Sequence, residues 1–284
     1  MTQAITPEEV IAKAIATAGT DDFGAEGWRE GLARTLDAFV RISLKPEVFT
    51  TSVDKLVHDL ATRLRIEQWF KDHPECAESQ IEGPVFVIGL PRTGTTLLHA
   101  LLAEDPAVHA PQSWHMLSPS PPPGNGPVAA GRIAHAQRVI DDWMHFCPAQ
   151  KMMHPYIDKG AWQLTEDEEV YGLDFRNVYP FHYYHVPTAD FGVRLGDEAP
   201  GAYKFHRKFL QHHQWNTGKH RWVCKSPSAQ GYLVAMGGIV SAITVVVSGL
   251  IYARWGSGVY FVMALMAAAG GMVMLVWRSR LDLS

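Results

Sequence analysis

Forty-six consecutive residues, Tyr232 to Trp277, carry one charged side chain, Arg254. A soluble domain needs more charge than that on its surface, so this stretch splits the 284-residue chain into unlike parts. Of 29 acidic residues 28 precede Tyr232, as do 22 of 25 basic ones, which leaves −6 on the long part and +2 on the last 53 residues. The expected domains are 1–228, polar and globular, and 229–284, membrane-like. Within the second, Tyr232–Tyr252 (21 residues) and Val259–Trp277 (19 residues) contain no charge. Each is long enough as a helix to cross a hydrocarbon core of about 30 Å. Gly237, Gly238, Ser241, Ser248 and Gly249 in the first run, and Ala267, Ala268, Gly270 and Gly271 in the second, would let two such helices approach closely. The expectation is a two-helix transmembrane hairpin over about 232–252 and 259–277. A buried helical hairpin in a soluble core is the alternative.

Arg278 and Arg280 follow the second run while the turn holds only Arg254, which favours both ends on the cytoplasmic side. Residues Met1–Thr20 lack an apolar run and carry Glu8 and Glu9, unlike a signal peptide. The expected location is therefore the membrane, with the N-terminal domain cytoplasmic. An acidic soluble part disfavours nucleic acid as a partner. Cys76, Cys147 and Cys224 are scattered, so no disulfide scaffold is expected.

The first 80 residues read as helices over 7–18, 27–43 and 53–71. Thr6, Pro7 and Glu9 make a capping-box start. Trp28, Leu32, Leu36, Phe39 and Val40 recur at helical spacing, as do Val53, Leu56, Val57, Leu60 and Leu64. Pro84–Gly89 is a short β-rich run that fits a buried parallel strand. The loop Leu90-Pro-Arg-Thr-Gly-Thr-Thr96 follows, then a helix over Leu97–Ala103. Strand, glycine loop and helix in that order aim loop amides and a helix N-terminus at one point, an anion site. A nucleoside-triphosphate loop reads GxxxxGK[ST], whereas Thr95 stands here at the lysine position and the cation is Arg92. That disfavours a kinase, although an aberrant nucleotide kinase stays open as a weaker reading.

Val87–Leu98, Val-Ile-Gly-Leu-Pro-Arg-Thr-Gly-Thr-Thr-Leu-Leu, resembles the phosphosulfate loop of sulfotransferases that use 3′-phosphoadenosine 5′-phosphosulfate (PAPS). Ala110–Pro123, Glu166–Glu169, Tyr203–Trp215 and Arg221–Pro227 are similar to later segments of that family, in its bacterial branch with this arginine loop, over about residues 5–228. The resemblance implies an α/β fold: a P-loop-type parallel sheet flanked by helices. It implies PAPS as co-substrate, no metal, and a small-molecule acceptor with a hydroxyl or amine. Arg92, Thr93, Gly94, Thr95 and Thr96 would hold the phosphosulfate, with Lys225 facing it and Arg92 neutralising charge in the transition state. His115 is the first candidate for the general base and His154 the second. Where His115 stands, relatives with this loop often carry glutamate. His182 and His185 show no metal-site spacing. Aromatic residues over Tyr171–Tyr184 suggest an apolar acceptor, which core packing would explain equally well.

Ser248–Gly256, between two runs rich in small residues, resembles the last two transmembrane helices of a major facilitator transporter. The sulfotransferase pattern continues past Lys-Ser-Pro into an arginine and a serine that grip the 3′-phosphate. Here Ser228–Tyr232 leads directly into the charge-free run. The expected fold is therefore a truncated sulfotransferase sheet followed by the hairpin, joined near Ser226–Gly231. Exposed apolar surface and weak or no turnover are expected with it. A catalytically inactive membrane protein is the alternative function.

Overall fold

A computed structural model describes residues 5–89, 94–124, 127, 130–148, 157–176, 199–226 and 254. The chain divides into two compact units, Met1–Tyr232 and Leu233–Ser284. Apart from Arg254, the second unit lies outside the described residues, and with it both expected spans. Among the described residues no helix is long and apolar enough to cross a membrane.

The first unit opens with three helices, α1 (Pro7–Ala18), α2 (Trp28–Ile42) and α3 (Pro46–Asp72). The capping box forms as expected, with the Glu9 amide donating to Thr6 Oγ1 and the Thr6 amide donating to Glu9. Trp28, Leu32, Leu36 and Phe39 bury one stripe of α2 in a core cluster shared with Val10 and Ala14 of α1 and Val53, Leu56, Leu60 and Leu64 of α3. Each large apolar side chain there contributes about 1.5–3 kcal/mol by leaving water. Val40 falls at the edge of that stripe and is 43% exposed, unlike its expected place in the layer. Helix α3 starts seven residues earlier than the periodicity suggests. Pro46 occupies its first turn, where a missing N–H costs nothing.

After a short 3₁₀ turn at Pro74–Glu78 come β1 (Glu82–Val87), α4 (Thr95–Leu102), β2 (Val108–His109) and α5 (Ser113–Leu117). Helix α6 (Ala130–Phe146), a 3₁₀ segment at Ile157–Trp162, α7 (Glu168–Leu173), α8 (Ala199–Gln214) and β3 (Arg221–Lys225) complete the described elements. The three strands form a parallel sheet in the order β1-β3-β2. Among the described strands the last in sequence is thus central, with Val85 opposite Val223, Phe86 opposite Cys224 and Val87 opposite Lys225. The register slips between Glu82 and Val85, where Gly83 takes φ +50° and Pro84 has no N–H to offer the ladder. Trp222 and Cys224 bury one face of β3 against Phe205, Phe209 and Leu210 of α8.

The strand expected at Pro84–Gly89 is parallel but not buried. Only Val87 is shielded, while Val85 and Phe86 are 43% and 38% exposed. β1 lies at the sheet edge among the described strands, so half its surface has no covering neighbour. Leu97, Leu98 and Leu101 of α4 are also exposed.

Candidate functional site

Gly94 is the N-cap of α4 at φ +87°. A Cβ there would meet nothing within 4 Å, so the left-handed backbone, not lack of room, selects glycine. Among the described residues no side chain caps this helix. Such a start can receive a ligand on its first-turn amides, and the helix dipole favours a negative one.

Lys225, the last residue of β3, brings a cation to this corner. Its side chain is 8% exposed; Nζ pairs with Glu166 and donates to Thr96 Oγ1 at 3.2 Å. Glu166 is fixed from two sides. The Ser113 amide donates to the Gln163 carbonyl at 2.9 Å and the Thr165 amide to the Pro111 carbonyl at 3.0 Å. The Asp167 amide donates to the Lys225 carbonyl at 2.8 Å. Two backbone ladders thus press a carboxylate against the lysine.

A cavity of about 290 Å³ opens beside them. Thr96, His99, Glu166 and Lys225 form its wall on the α4 side. Leu117, Ile140, Trp143 and Leu164 supply an apolar surface, and Asp54, Lys55, Arg138 and Asp142 supply charge. His99 follows Thr96 by three residues, so both lie on one face of α4. The residue is 3% exposed, and its Nε2 has no partner among the described residues. Burial pushes its pKa below the usual value, with Asp167 opposing and Lys225 reinforcing that shift.

Of the residues singled out from sequence, Gly94, Thr95, Thr96 and Lys225 come together here. Arg92, Thr93, His154, His182 and His185 lie outside the described residues. His115 does not line the cavity. It sits on α5, accepts the Gln112 amide on Nδ1 at 3.0 Å, and packs 3.9 Å from the Trp114 ring and 4.5 Å from that of His213. Burial, then the neighbouring His109, lowers its pKa to about 3. Of the aromatic run Tyr171–Tyr184, Tyr171 is core, 1% exposed and stacked on His206 at 5.4 Å, and residues 177–184 lie outside the described residues. Glu166 and His99 escaped sequence reasoning. The signal for His99 was one polar residue inside the run Leu97–Leu102.

Behind Glu166, Asp167, His206 and Cys224 are buried with their ligand-type atoms within 4.8 Å of one another. His206 Nε2 donates to Asp167 Oδ2 at 2.9 Å. Burial, then Asp167, pushes the Cys224 thiol well up, so it stays protonated. The His206 bond holds Asp167 Oδ2 behind the Glu166–Asp167 turn, while Oδ1 is buried with no partner among the described residues.

A helix start after a parallel strand, with a buried lysine reaching its second residue, gives this α/β protein a candidate anion site. The sulfotransferase family's sequence model matches residues 84–236, more than half of the chain, and the chain belongs to that family. Two solved structures resemble it. Sulfotransferase STF1 from Mycobacterium tuberculosis H37Rv superposes with TM-score 0.61 at 28% identity, over 83% of this chain and 65% of that one. Sulfotransferase STF9 from Mycobacterium avium superposes with TM-score 0.62 at 25% identity, over 82% of this chain and 60% of that one. The chain therefore spans less than two thirds of either relative. No curated protein matches it. The family generally uses PAPS as sulfuryl donor and acts on small-molecule acceptors.

Proposed function

We propose that the first unit transfers a sulfuryl group from PAPS to a hydroxyl or amine of a small molecule seated in the cavity. The observation that carries this is Lys225: a lysine nearly out of water, bonded to Thr96 at the start of an uncapped helix. A buried cation costs free energy unless charge answers it, and one carboxylate shared with a helix N-terminus leaves room for a second anion. The Thr95 and Thr96 amides and Lys225 would hold the phosphosulfate, joined by Arg92 and Thr93 from the loop. PAPS supplies an activated sulfur; the chain's own donors stabilise the charge that spreads over its oxygens. The cavity's mixture of apolar and charged walls fits an acceptor with an apolar body and polar substituents. Calorimetry with 3′-phosphoadenosine 5′-phosphate (PAP) tests the donor site, and the absence of heat from a stable, folded chain would refute it.

A second reading concerns residues 229–284. Two charge-free runs of 21 and 19 residues support a membrane-spanning hairpin that keeps the first unit on the cytoplasmic side. Release of the chain by alkaline carbonate would exclude it. The likeness to a transporter's last two helices supports an anchor and implies no transport.

A further inference from the structure

We propose that His99 is the general base of this site, its Nε2 taking the proton of the acceptor hydroxyl. The inference rests on the sulfuryl-transfer reading above. Nε2 is buried, has no partner among the described residues, and belongs to a side chain that lines the cavity.

Three other groups fit the role less well. Glu166 is committed to Lys225. His115 accepts its own helix-cap amide and does not line the cavity. His135 lines the cavity with an unpartnered Nε2, but it stacks 3.7 Å from His58, and its charged neighbours are Lys55, Arg138 and Arg65, none of them at the donor corner. His99 lies one helical turn from Thr96, whose hydroxyl meets Lys225, and shares the cavity wall with both, so it alone of the three histidines lies beside the donor corner. In the step, the acceptor oxygen forms its bond to sulfur while the bond from sulfur to the phosphate oxygen breaks. The proton moves from that oxygen to Nε2, PAP leaves, and the imidazolium returns the proton to solvent.

The test uses the full chain with ¹⁵N-labelled histidine, PAP bound, and p-nitrophenol as probe acceptor. His99 is assigned by the loss of its ring signals in His99→Asn and His99→Gln. The expected result is a bare Nε2 whose resonance moves as p-nitrophenol is added. With PAPS, either variant lowers kcat for p-nitrophenyl sulfate at least 100-fold and leaves the Kd for PAP within twofold, an effect of the size general bases contribute (about 10²–10⁴). A protonated Nε2, a resonance that p-nitrophenol does not move, or wild-type kcat in both variants would each overturn the assignment. The ring readout needs no turnover. A bare Nε2 that responds to p-nitrophenol in a chain that does not bind PAP would overturn the donor-site reading and not the base.

Discussion

Lys225 and Glu166 pair where only 8% and 16% of their side chains meet solvent, and the same lysine Nζ donates to Thr96 at 3.2 Å. An arriving anion must share Lys225 with a carboxylate already in place. Glu166→Gln removes that competitor and leaves a buried cation uncompensated. Breaking one side of such a pair costs roughly 3–5 kcal/mol. The variant is therefore expected to melt lower than wild type in dilute buffer and to regain more Tm on adding sulfate, because the anion then supplies the missing charge. Equal sulfate-induced shifts in the two proteins would show that Lys225 does not meet anions.

Lys225→Met tests the other half of the pair. A charge-assisted hydrogen bond is worth about 1.5–3 kcal/mol, so PAP affinity should fall roughly 10- to 100-fold by calorimetry. Thr96→Val removes only a neutral hydroxyl and should weaken binding less than tenfold. An unchanged Kd in Lys225→Met would take the lysine out of the site.

From the sequence, no arginine and serine are expected after Ser226 to grip a 3′-phosphate. PAP and AMP should then bind with Kd values within about threefold of each other. A preference for PAP of 100-fold or more would mean that some other part of the chain holds that phosphate.

Away from the cavity, Arg63 is 1% exposed and ties three segments together. Its Nη1 lies 2.5 Å from Asp174 Oδ1, and Nε and Nη2 donate to the Phe23 and Ala25 carbonyls at 2.8 and 3.0 Å. Arg63→Met strands a buried carboxylate and two carbonyls. A loss of about 3–5 kcal/mol is expected from urea unfolding, with Arg176 on the same Asp174 softening it toward the lower figure. A loss below about 1 kcal/mol would mean that the buried pair does not hold these segments.

Burial, the largest cause in each case, lowers the pKa of His109 to about 4 and of His115 and His212 to about 3. Between those values and about 6.5 these rings are neutral when folded and charged when unfolded. The unfolded chain binds more protons there, so stability falls as pH drops through 6.5 and stops falling near 3–4. Each ring contributes a slope of at most about 1.4 kcal/mol per pH unit. Urea midpoints at pH 7.5, 6.5, 5.5 and 4.5 should be flat across the first pair and decline across the rest. A flat profile down to pH 4.5 would mean that these histidines become charged without unfolding the chain.

The sequence by itself determined the local elements. Thr6, Pro7 and Glu9 dictate the start of α1 because capping satisfies amides within one turn of chain. The spacing of Trp28, Leu32, Leu36 and Phe39 dictates a buried stripe because a helix repeats every 3.6 residues. The glycine loop before α4 announces an anion site because only glycine enters φ +87° without strain. Tertiary structure decided what crosses between segments distant in sequence. Sheet order placed Lys225 against Thr96, 129 residues away, and moved β1 to an edge that its apolar run did not foretell. It turned His115 into its own helix cap and left His99, a lone polar residue among leucines, facing the cavity. Pairing across a sheet and the direction of a ring depend on which surfaces meet, and no periodicity within one segment records that.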